Sequence, residues 1–243
     1  MGSAAALELA AKMKELLEVR GHIRMVFASA PSQNEFLDHL TAIEGIDFTR
    51  VTAFHMDEYI GLDANAPQGF GNFLNVRLFS KKAFEAVHYI NGQADDPAAE
   101  CKRYAALLRE APLDIVCMGI GENAHIAFND PAAADFNDPE TVKIVSLDDI
   151  CRQQQVNDGC FTSLKYVPAT AITLTIPALV NTDAIFCVVP AVTKANAVYH
   201  TLEDRVSEDY PASILRTRPG AVLYLDADSA GRIGEVSGLC PVA

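Results

Sequence analysis

Positive charge is scarce in this chain. Its 243 residues carry 19 Lys and Arg against 32 Asp and Glu, a formal net charge of -13. A nucleic-acid binder needs a basic face to replace the counterions of the phosphate backbone, so no nucleic-acid partner is expected. A single phosphorylated metabolite is not excluded, because a few local cations and backbone N–H groups hold one phosphate. Long apolar runs are also missing. No stretch approaches the roughly 20 residues of a membrane span, and the N-terminus lacks the basic, apolar, small-residue order of a signal peptide. No membrane partner is expected, and the cytoplasm is the expected location. Cysteine pairs are absent too. Cys101, Cys117, Cys151, Cys160, Cys187 and Cys240 stand without C-x-x-C spacing, which reads as buried, reduced thiols. With no H-E-x-x-H segment either, no metal is expected. His55, two residues from Asp57 and on the same strand face, reads as packing or hydrogen-bonding rather than as a ligand.

There is no internal repeat, low-complexity tract or interdomain linker. Half of the residues are apolar, enough for a substantial core, and the length suits one large α/β domain or two small ones. Strand-like and helix-like segments alternate. An amphipathic helix is predicted over Ala4–Arg20, with Leu7, Ala10, Ala11, Leu17 and either Met13 or Lys14 at turn spacing and Gly21 as its stop. A strand follows at Ile23–Ser29. Ser32, with Glu35 three residues on, has the spacing of a capping box for a helix carrying Phe36, Leu37 and Leu40. Further strands are expected at Val51–Met56, Val87–Ile90, Ile115–Met118, Lys143–Leu147, Ala171–Ile176, Ile185–Val189 and Ala221–Leu225. Further helices are expected at Asp96–Leu108 and Thr193–Leu202, and residues 65–75 read as loop. This alternation predicts an α/β fold: a single doubly wound, mainly parallel sheet covered by helices on both faces, in one domain over residues 1–243.

In such sheets ligands sit where strands end. Two strand ends carry the chemistry. Asp57 and Glu58 close the strand that begins at Val51, beside Met56, Tyr59 and Ile60, and partial desolvation there would tune a general base. The segment Asp114–Pro131 runs from an apolar strand through Gly119 and Gly121 to Asn123, His125 and Asp130. A carboxylate such as Asp130 can orient the imidazole and raise its basicity while the other ring nitrogen handles a proton. The run Gly119–Ala124 matches the relaxed dinucleotide pattern G-x-G-x-x-G/A. That pattern needs a helix behind it, and Asn129-Asp130-Pro131 comes too soon, so no nicotinamide cofactor is expected. Two places suit an anion: the turn Ser29–Asn34, with Ser29, Ser32 and Gln33, and Lys194 just inside a helix that follows a strand.

Taken together and in order, three motifs and a lysine resemble the glucosamine-6-phosphate deaminase family (glucosamine/galactosamine-6-phosphate isomerases), which is related to 6-phosphogluconolactonase. The motifs are Phe54-His-Met-Asp-Glu-Tyr-Ile-Gly-Leu62, Gly119-Ile-Gly-Glu-Asn-Ala-His-Ile-Ala-Phe-Asn-Asp-Pro131 and Val167-Pro with Ala171-Ile-Thr-Leu-Thr; the lysine is Lys194. Asp-Glu-Tyr and His-Ile-Ala-Phe-Asn set the chain on the deaminase side of the lactonases. The resemblance implies an enzyme of the hydrolase and isomerase classes without a cofactor, converting glucosamine 6-phosphate and water to fructose 6-phosphate and ammonia in amino-sugar catabolism. It implies that Asp57 moves the C2 proton to C1, and that His125, oriented by Asp130 with Asn123 beside it, assists ring opening. Ser29, Ser32, Gln33, Glu58, Gly119, Gly121, Arg152 and Lys194 would contact the substrate. The partner is then a small sugar phosphate, with homo-oligomerisation left open.

The chain also departs from the family pattern. Ser29-Ala-Pro-Ser-Gln stands where Thr-Gly-Ser-Thr-Pro is common. Asn123 replaces Asp, Ala124 replaces Gly, Asp130 replaces Glu, and Asn157 stands at a second arginine. Only part of a regulatory basic cluster remains, at Thr141-Val-Lys143, so no regulation by an N-acetylated sugar phosphate is expected. Members usually have a strand before the helix at Ala4, so a trimmed or different N-terminus is expected. The altered phosphate turn keeps alternatives open: an isomerase or lactonase for another sugar phosphate, or a non-catalytic sugar-phosphate sensor.

Overall fold

The computed structural model of the chain describes residues 1–234. Among them nine strands occur: β1 (Ile23–Phe27), β2 (Val51–His55), β3 (Asp57–Tyr59), β4 (Ala86–His88), β5 (Leu113–Met118), β6 (Val142–Ser146), β7 (Thr170–Leu174), β8 (Thr182–Val189) and β9 (Ala221–Leu225). The α-helices are α1 (Gly2–Arg20), α2 (Asn34–Ala42), α3 (Phe70–Leu74), α4 (Pro97–Arg109), α5 (Asp149–Asn157), α6 (Ile176–Val180) and α7 (Ala195–Glu203).

Six strands form one parallel sheet in the order β4-β2-β1-β5-β8-β9. The mainly parallel, doubly wound fold expected from the sequence is present. The other three strands form a separate antiparallel sheet in the order β3-β7-β6, which alternation alone did not announce. The inner strands β1, β2, β5 and β8 are mostly buried on both faces, so their sequences read as nearly continuous apolar runs, whereas the edge strands β4 and β9 are only partly buried. Ile23, Met25 and Phe27 of β1 face α1 and α2, while Val26 and Phe54 face the layer of α4, α6 and α7.

Helix α1 ends where it should: Gly21 is left-handed (φ 74°) and its N–H closes on Leu17 O. Its inward stripe is Ala5, Ala6, Leu9, Ala10, Met13, Leu16 and Leu17. Leu7 is exposed and so is Ala11, contrary to expectation. Asp96 caps α4, its carboxylate accepting from the N–H groups of Ala98 and Ala99, with Pro97 at the first helical position. At the other end of α4, the Arg24 guanidinium from β1 donates to the carbonyls of Leu107, Leu108 and Ala111, a favourable place for a cation.

Four other expectations are corrected. The strand predicted to run to Ser29 stops at Phe27. Ser32 does not cap α2: Pro31–Gln33 is a 3-10 turn continuous with that helix, and Glu35 instead accepts from the N–H of Gly2. Residues 65–75 are not all loop, since α3 and a π-helical turn at Asn75–Phe79 lie there. Helices α5 and α6 were not anticipated. The inward face of α5 is Cys151, Gln154 and Gln155, so no apolar stripe marks it, and α6 is a five-residue helix with Pro177 in its first turn, too short to show a period. Of the cysteines, Cys101, Cys117, Cys151 and Cys187 are buried free thiols and Cys160 is half-buried; Cys240 lies outside the described residues.

Candidate active site

Strand order reverses between β1 and β5, since β2 and β4 lie to one side of β1 and β8 and β9 to the far side of β5. A crevice opens at the carboxyl ends of strands at such a switch point. Here the loops that leave β1 and β5, residues 28–33 and 119–128, line a pocket with Met56, Asp57, Phe70, Gln154, Gln155 and Lys194.

Asp57 owes its place to a break in its strand. β2 stops at His55, and β3 restarts at Asp57 in the other sheet, paired with Thr173 of β7. Buried His55 pins the bend. Its Nε2 accepts the N–H of Ile90 at 2.9 Å, so Nδ1 carries the proton and donates to the carbonyl of Asp57 at 2.9 Å. Burial lowers the His55 pKa to about 4, which keeps the ring neutral in this role. The Asp57 carboxyl is buried and makes no hydrogen bond among the described residues. Burial first, then the neighbouring Glu58 charge, holds its pKa well above the usual carboxylate range.

Glu58 points elsewhere, because adjacent strand residues face opposite sides of a sheet. Its carboxylate accepts the N–H groups of Tyr59 (3.0 Å), Phe70 (3.1 Å) and Gly71 (2.9 Å). It clamps the start of α3 and lies outside the pocket lining. Burial still pushes its pKa up, against the lowering effect of those three N–H groups.

The loop after β5 folds back on itself instead of starting a helix. The next regular element is β6, which removes the dinucleotide reading. The N–H of Gly121 bonds His125 O at 2.9 Å. A Cβ on Gly121 would stand 2.1 Å from the His125 ring, so only glycine leaves room for the imidazole. Ala124 (φ 65°) and Ala127 (φ 48°) take left-handed backbone on either side of His125, a conformation that strains non-glycine residues. The ring Nδ1 lies 2.7 Å from Asn123 Oδ1 and 2.9 Å from Asp130 Oδ1. Asn123 Nδ2 in turn donates to Asp130 Oδ1 (3.0 Å) and to Asp148 Oδ2 (3.0 Å). Burial would raise the Asp130 pKa, but bonds from His125, Asn123 and the Asp148 N–H outweigh it and hold the carboxyl below its ordinary value. With Nδ1 occupied, Nε2 is the ring nitrogen left for the pocket.

Cys151 closes this array from α5. One ring nitrogen of His125, a carboxylate oxygen of Asp130 and the sulfur of Cys151 lie within 4.8 Å of one another. Burial first, then the Asp130 and Asp148 charges, push the thiol far up, so Cys151 meets the Asp130 carboxylate as a protonated thiol.

The remaining polar lining surrounds Lys194. Its side chain is buried, and burial lowers its pKa against the raising effect of Asp158 and Glu122. No hydrogen bond or ion pair to its ammonium occurs among the described residues. Gln33 Nε2 donates to Val188 O (3.1 Å) and Ser32 Oγ (3.2 Å), and Ser29 Oγ donates to Phe70 O (3.2 Å). A Cβ on Gly119 would come within 3.0 Å of the Gln33 amide.

Arg152 is not brought to the pocket. Its guanidinium donates to the carbonyls of Leu164 (2.9 Å) and Val167 (3.1 Å) and pairs with Asp149. Gln154 and Gln155, which the sequence reading missed, supply the lining from α5 instead. Only an assignment of α5 as a helix would have revealed them: with Cys151 buried, positions three and four residues on share its face.

The chain matches the family model for glucosamine-6-phosphate isomerases/6-phosphogluconolactonase over residues 1–224. It is 38% identical over 192 residues to a glucosamine-6-phosphate deaminase of Exiguobacterium sp., covering 79% of this chain and 74% of that protein. A solved structure of a monomeric glucosamine-6-phosphate deaminase superposes with TM-score 0.87 at 29% identity, covering 95% of this chain and 94% of that one. The 6-phosphogluconolactonase of Thermotoga maritima superposes with TM-score 0.73 at 21% identity, over 92% and 94% of the two chains, and shares the fold. With the motif order, the parallel sheet and the family match in agreement, the chain belongs to the glucosamine-6-phosphate isomerase/6-phosphogluconolactonase family.

Proposed function

We propose that this protein isomerises and deaminates glucosamine 6-phosphate, giving fructose 6-phosphate and ammonia. One observation carries the reading: a desolvated carboxyl, Asp57, and an imidazole with its outer nitrogen free, His125, line the same pocket as the buried ammonium of Lys194. The first two are a base and an acid for proton transfer at a sugar; the third suits a phosphate. In this reading His125 Nε2 takes the O1 proton and delivers one to the ring oxygen, opening the hexose. Asp57 then removes the C2 proton and returns it at C1 while an amine proton passes to O1, leaving a C2 imine. Water adds to C2, its oxygen becomes the carbonyl, and ammonia leaves. Asp130 and Asn123 hold the imidazole. Ser29, Ser32, Gln33, Gly119 and Gly121 shape the pocket, whereas Glu58 and Arg152 act on its frame.

The chain follows its deaminase relatives here, and the reaction is an isomerisation with loss of the amine. No described helix is long and apolar enough to cross a membrane. The lining runs from Ala28 to Lys194 and draws on loops that leave the main sheet and on β3 of the second, which supports one sugar-phosphate domain.

A second reading is favoured by the phosphate end. Lys194 is the one cation of the lining, and Gln33, Gln154 and Gln155 are neutral. This pattern also suits another sugar phosphate, such as galactosamine 6-phosphate or 6-phosphogluconolactone. The test is ammonia release from saturating glucosamine 6-phosphate. Wild type should release it, and Asp57→Asn should lose at least about 10²-fold, the usual worth of a general base. No ammonia from wild type, together with turnover of a different sugar phosphate, would move the assignment to the second reading.

A further inference from the structure

Asp148 is not among the residues that face the pocket, yet it ends the chain of hydrogen bonds that begins on His125. It is the N-cap of α5, with one carboxylate oxygen accepting the N–H of Cys151 at 2.6 Å. The other oxygen accepts Asn123 Nδ2 at 3.0 Å. A primary amide has an acceptor oxygen at one corner and two N–H donors at the other. At Asn123 both donors are spent on carboxylates, Asp130 and Asp148. Turning the amide over would aim its oxygen at both anions. The amide therefore has one orientation, with Oδ1 toward Nδ1 and toward the backbone N–H of His125 (3.1 Å). That oxygen only accepts, as does Asp130 Oδ1 at 2.9 Å from the same nitrogen, so Nδ1 must carry the proton. The lone pair is left on Nε2, on the pocket side.

We propose that Asp148 is a positioning residue for His125, acting through the Asn123 amide, which together with Asp130 holds the ring in place in the Nδ1–H form. The role rests on the deaminase reading for its kinetic consequence, but not for its structural one. The same geometry explains why position 123 holds an amide in this chain. A carboxylate there would have no proton to give and would meet both Asp130 and Asp148 at hydrogen-bond distance. Asn123 and Asp148 thus form a pair of one amide and one acid, and the acid belongs at 148. Helix α5 is tied to the loop a second time, by Gln154 Oε1 accepting the N–H of Glu122 at 2.9 Å, so the pair sits in a fixed frame.

Asp148→Ser separates the two jobs of the side chain. Serine is a good N-cap and keeps a partner for the Cys151 N–H, but it is too short to reach Asn123. The expected result is an unchanged melting temperature with kcat for ammonia release reduced about 10- to 100-fold, the loss known when a hydrogen-bond partner behind a metal-bound histidine is removed and taken here as the scale for an indirect partner, and KM little changed. Nitrogen-15 NMR of the ligand-free protein should report the Nδ1–H form of His125 in both proteins, because Asp130 accepts at Nδ1 in each, but with faster solvent exchange of that N–H in Asp148→Ser, where the amide has lost its second anchor. Asn123→Asp should lose more than Asp148→Ser. Asn123→Asp combined with Asp148→Asn should recover at least about 10-fold over Asn123→Asp alone, because one of the two carboxylate contacts at position 123 becomes an amide–acid bond while that to Asp130 remains. A wild-type exchange rate and kcat in Asp148→Ser, or a double variant no better than Asn123→Asp, would overturn the proposal. The exchange rate is read without substrate. Faster exchange in a protein that releases no ammonia would therefore sustain the positioning role while removing the deaminase reading.

Discussion

At the scale of single residues, the candidate base is built from an unfavourable interaction. Asp57 gains no hydrogen bond among the described residues, and burial drives its pKa up from the ordinary 3.8. The sign of the linkage follows. A carboxyl whose folded-state pKa is raised stabilises the fold fully below about 3.8, and that contribution is lost as pH rises through the folded value. Near neutral pH the charge opposes folding. Asp57→Asn removes the charge at nearly constant shape. It is expected to melt above wild type at pH 7 to 8, with each kcal/mol gained reading as about 2–4 °C in a chain of this size. The gap between the two proteins should close as pH approaches 3.8. Equal melting temperatures across that range would mean that Asp57 carries no such burden. The variant should therefore be more stable and inactive, a trade that working groups in desolvated sites are known to make.

At the scale of elements, the bend between β2 and β3 decides where that carboxyl points. Sequence patterning indicated the strand at Val51 and its polar end, but not that the next three residues change sheets. The switch depends on partners distant in sequence: Thr173 across the strand pair and Ile90 on His55. The same limit explains Glu58 and Arg152. Adjacent acids look alike in a motif until a strand sends one into the pocket and the other onto α3, and Arg152 could not be oriented before α5 was known to be a helix. The pairing of His125 with Asp130, by contrast, was legible, because both lie in one short loop. His55 offers a test of the bend. Its folded pKa is lowered from 6.5 to about 4, so its contribution is present above about 6.5 and is lost as pH falls toward 4. The span is worth on the order of 3 kcal/mol. Wild type should lose melting temperature through that window. His55→Gln, which cannot take up the proton, should melt lower at pH 7 but show a flatter slope between pH 6.5 and 4. An unchanged slope would assign the acid sensitivity to other groups.

At the scale of the whole molecule, the pocket is the place where separate parts of the chain meet. The turn after β1, the start of β3, the first residue of α3, the loop after β5, helix α5 and the approach to α7 each contribute lining. A ligand bound there stabilises only the conformation in which all six are assembled. Binding at about 100 times Kd adds about 2.7 kcal/mol to the unfolding free energy, which corresponds to roughly 5–10 °C at this chain length. A sugar 6-phosphate should therefore shift one cooperative transition as a whole, while free glucosamine, lacking the anion, should shift it less at the same concentration. Lys194→Ala should remove most of the difference between the two ligands. It deletes the one cation of the lining, and a hydrogen bond to a charged group is worth about 1.5–3 kcal/mol, or roughly 10- to 100-fold in Kd. An undiminished preference for the phosphorylated sugar in Lys194→Ala would place the anion elsewhere, with the Ser29–Gln33 turn as the remaining candidate. Two separate melting steps, only one of them moved by ligand, would show that the chain does not act as one domain.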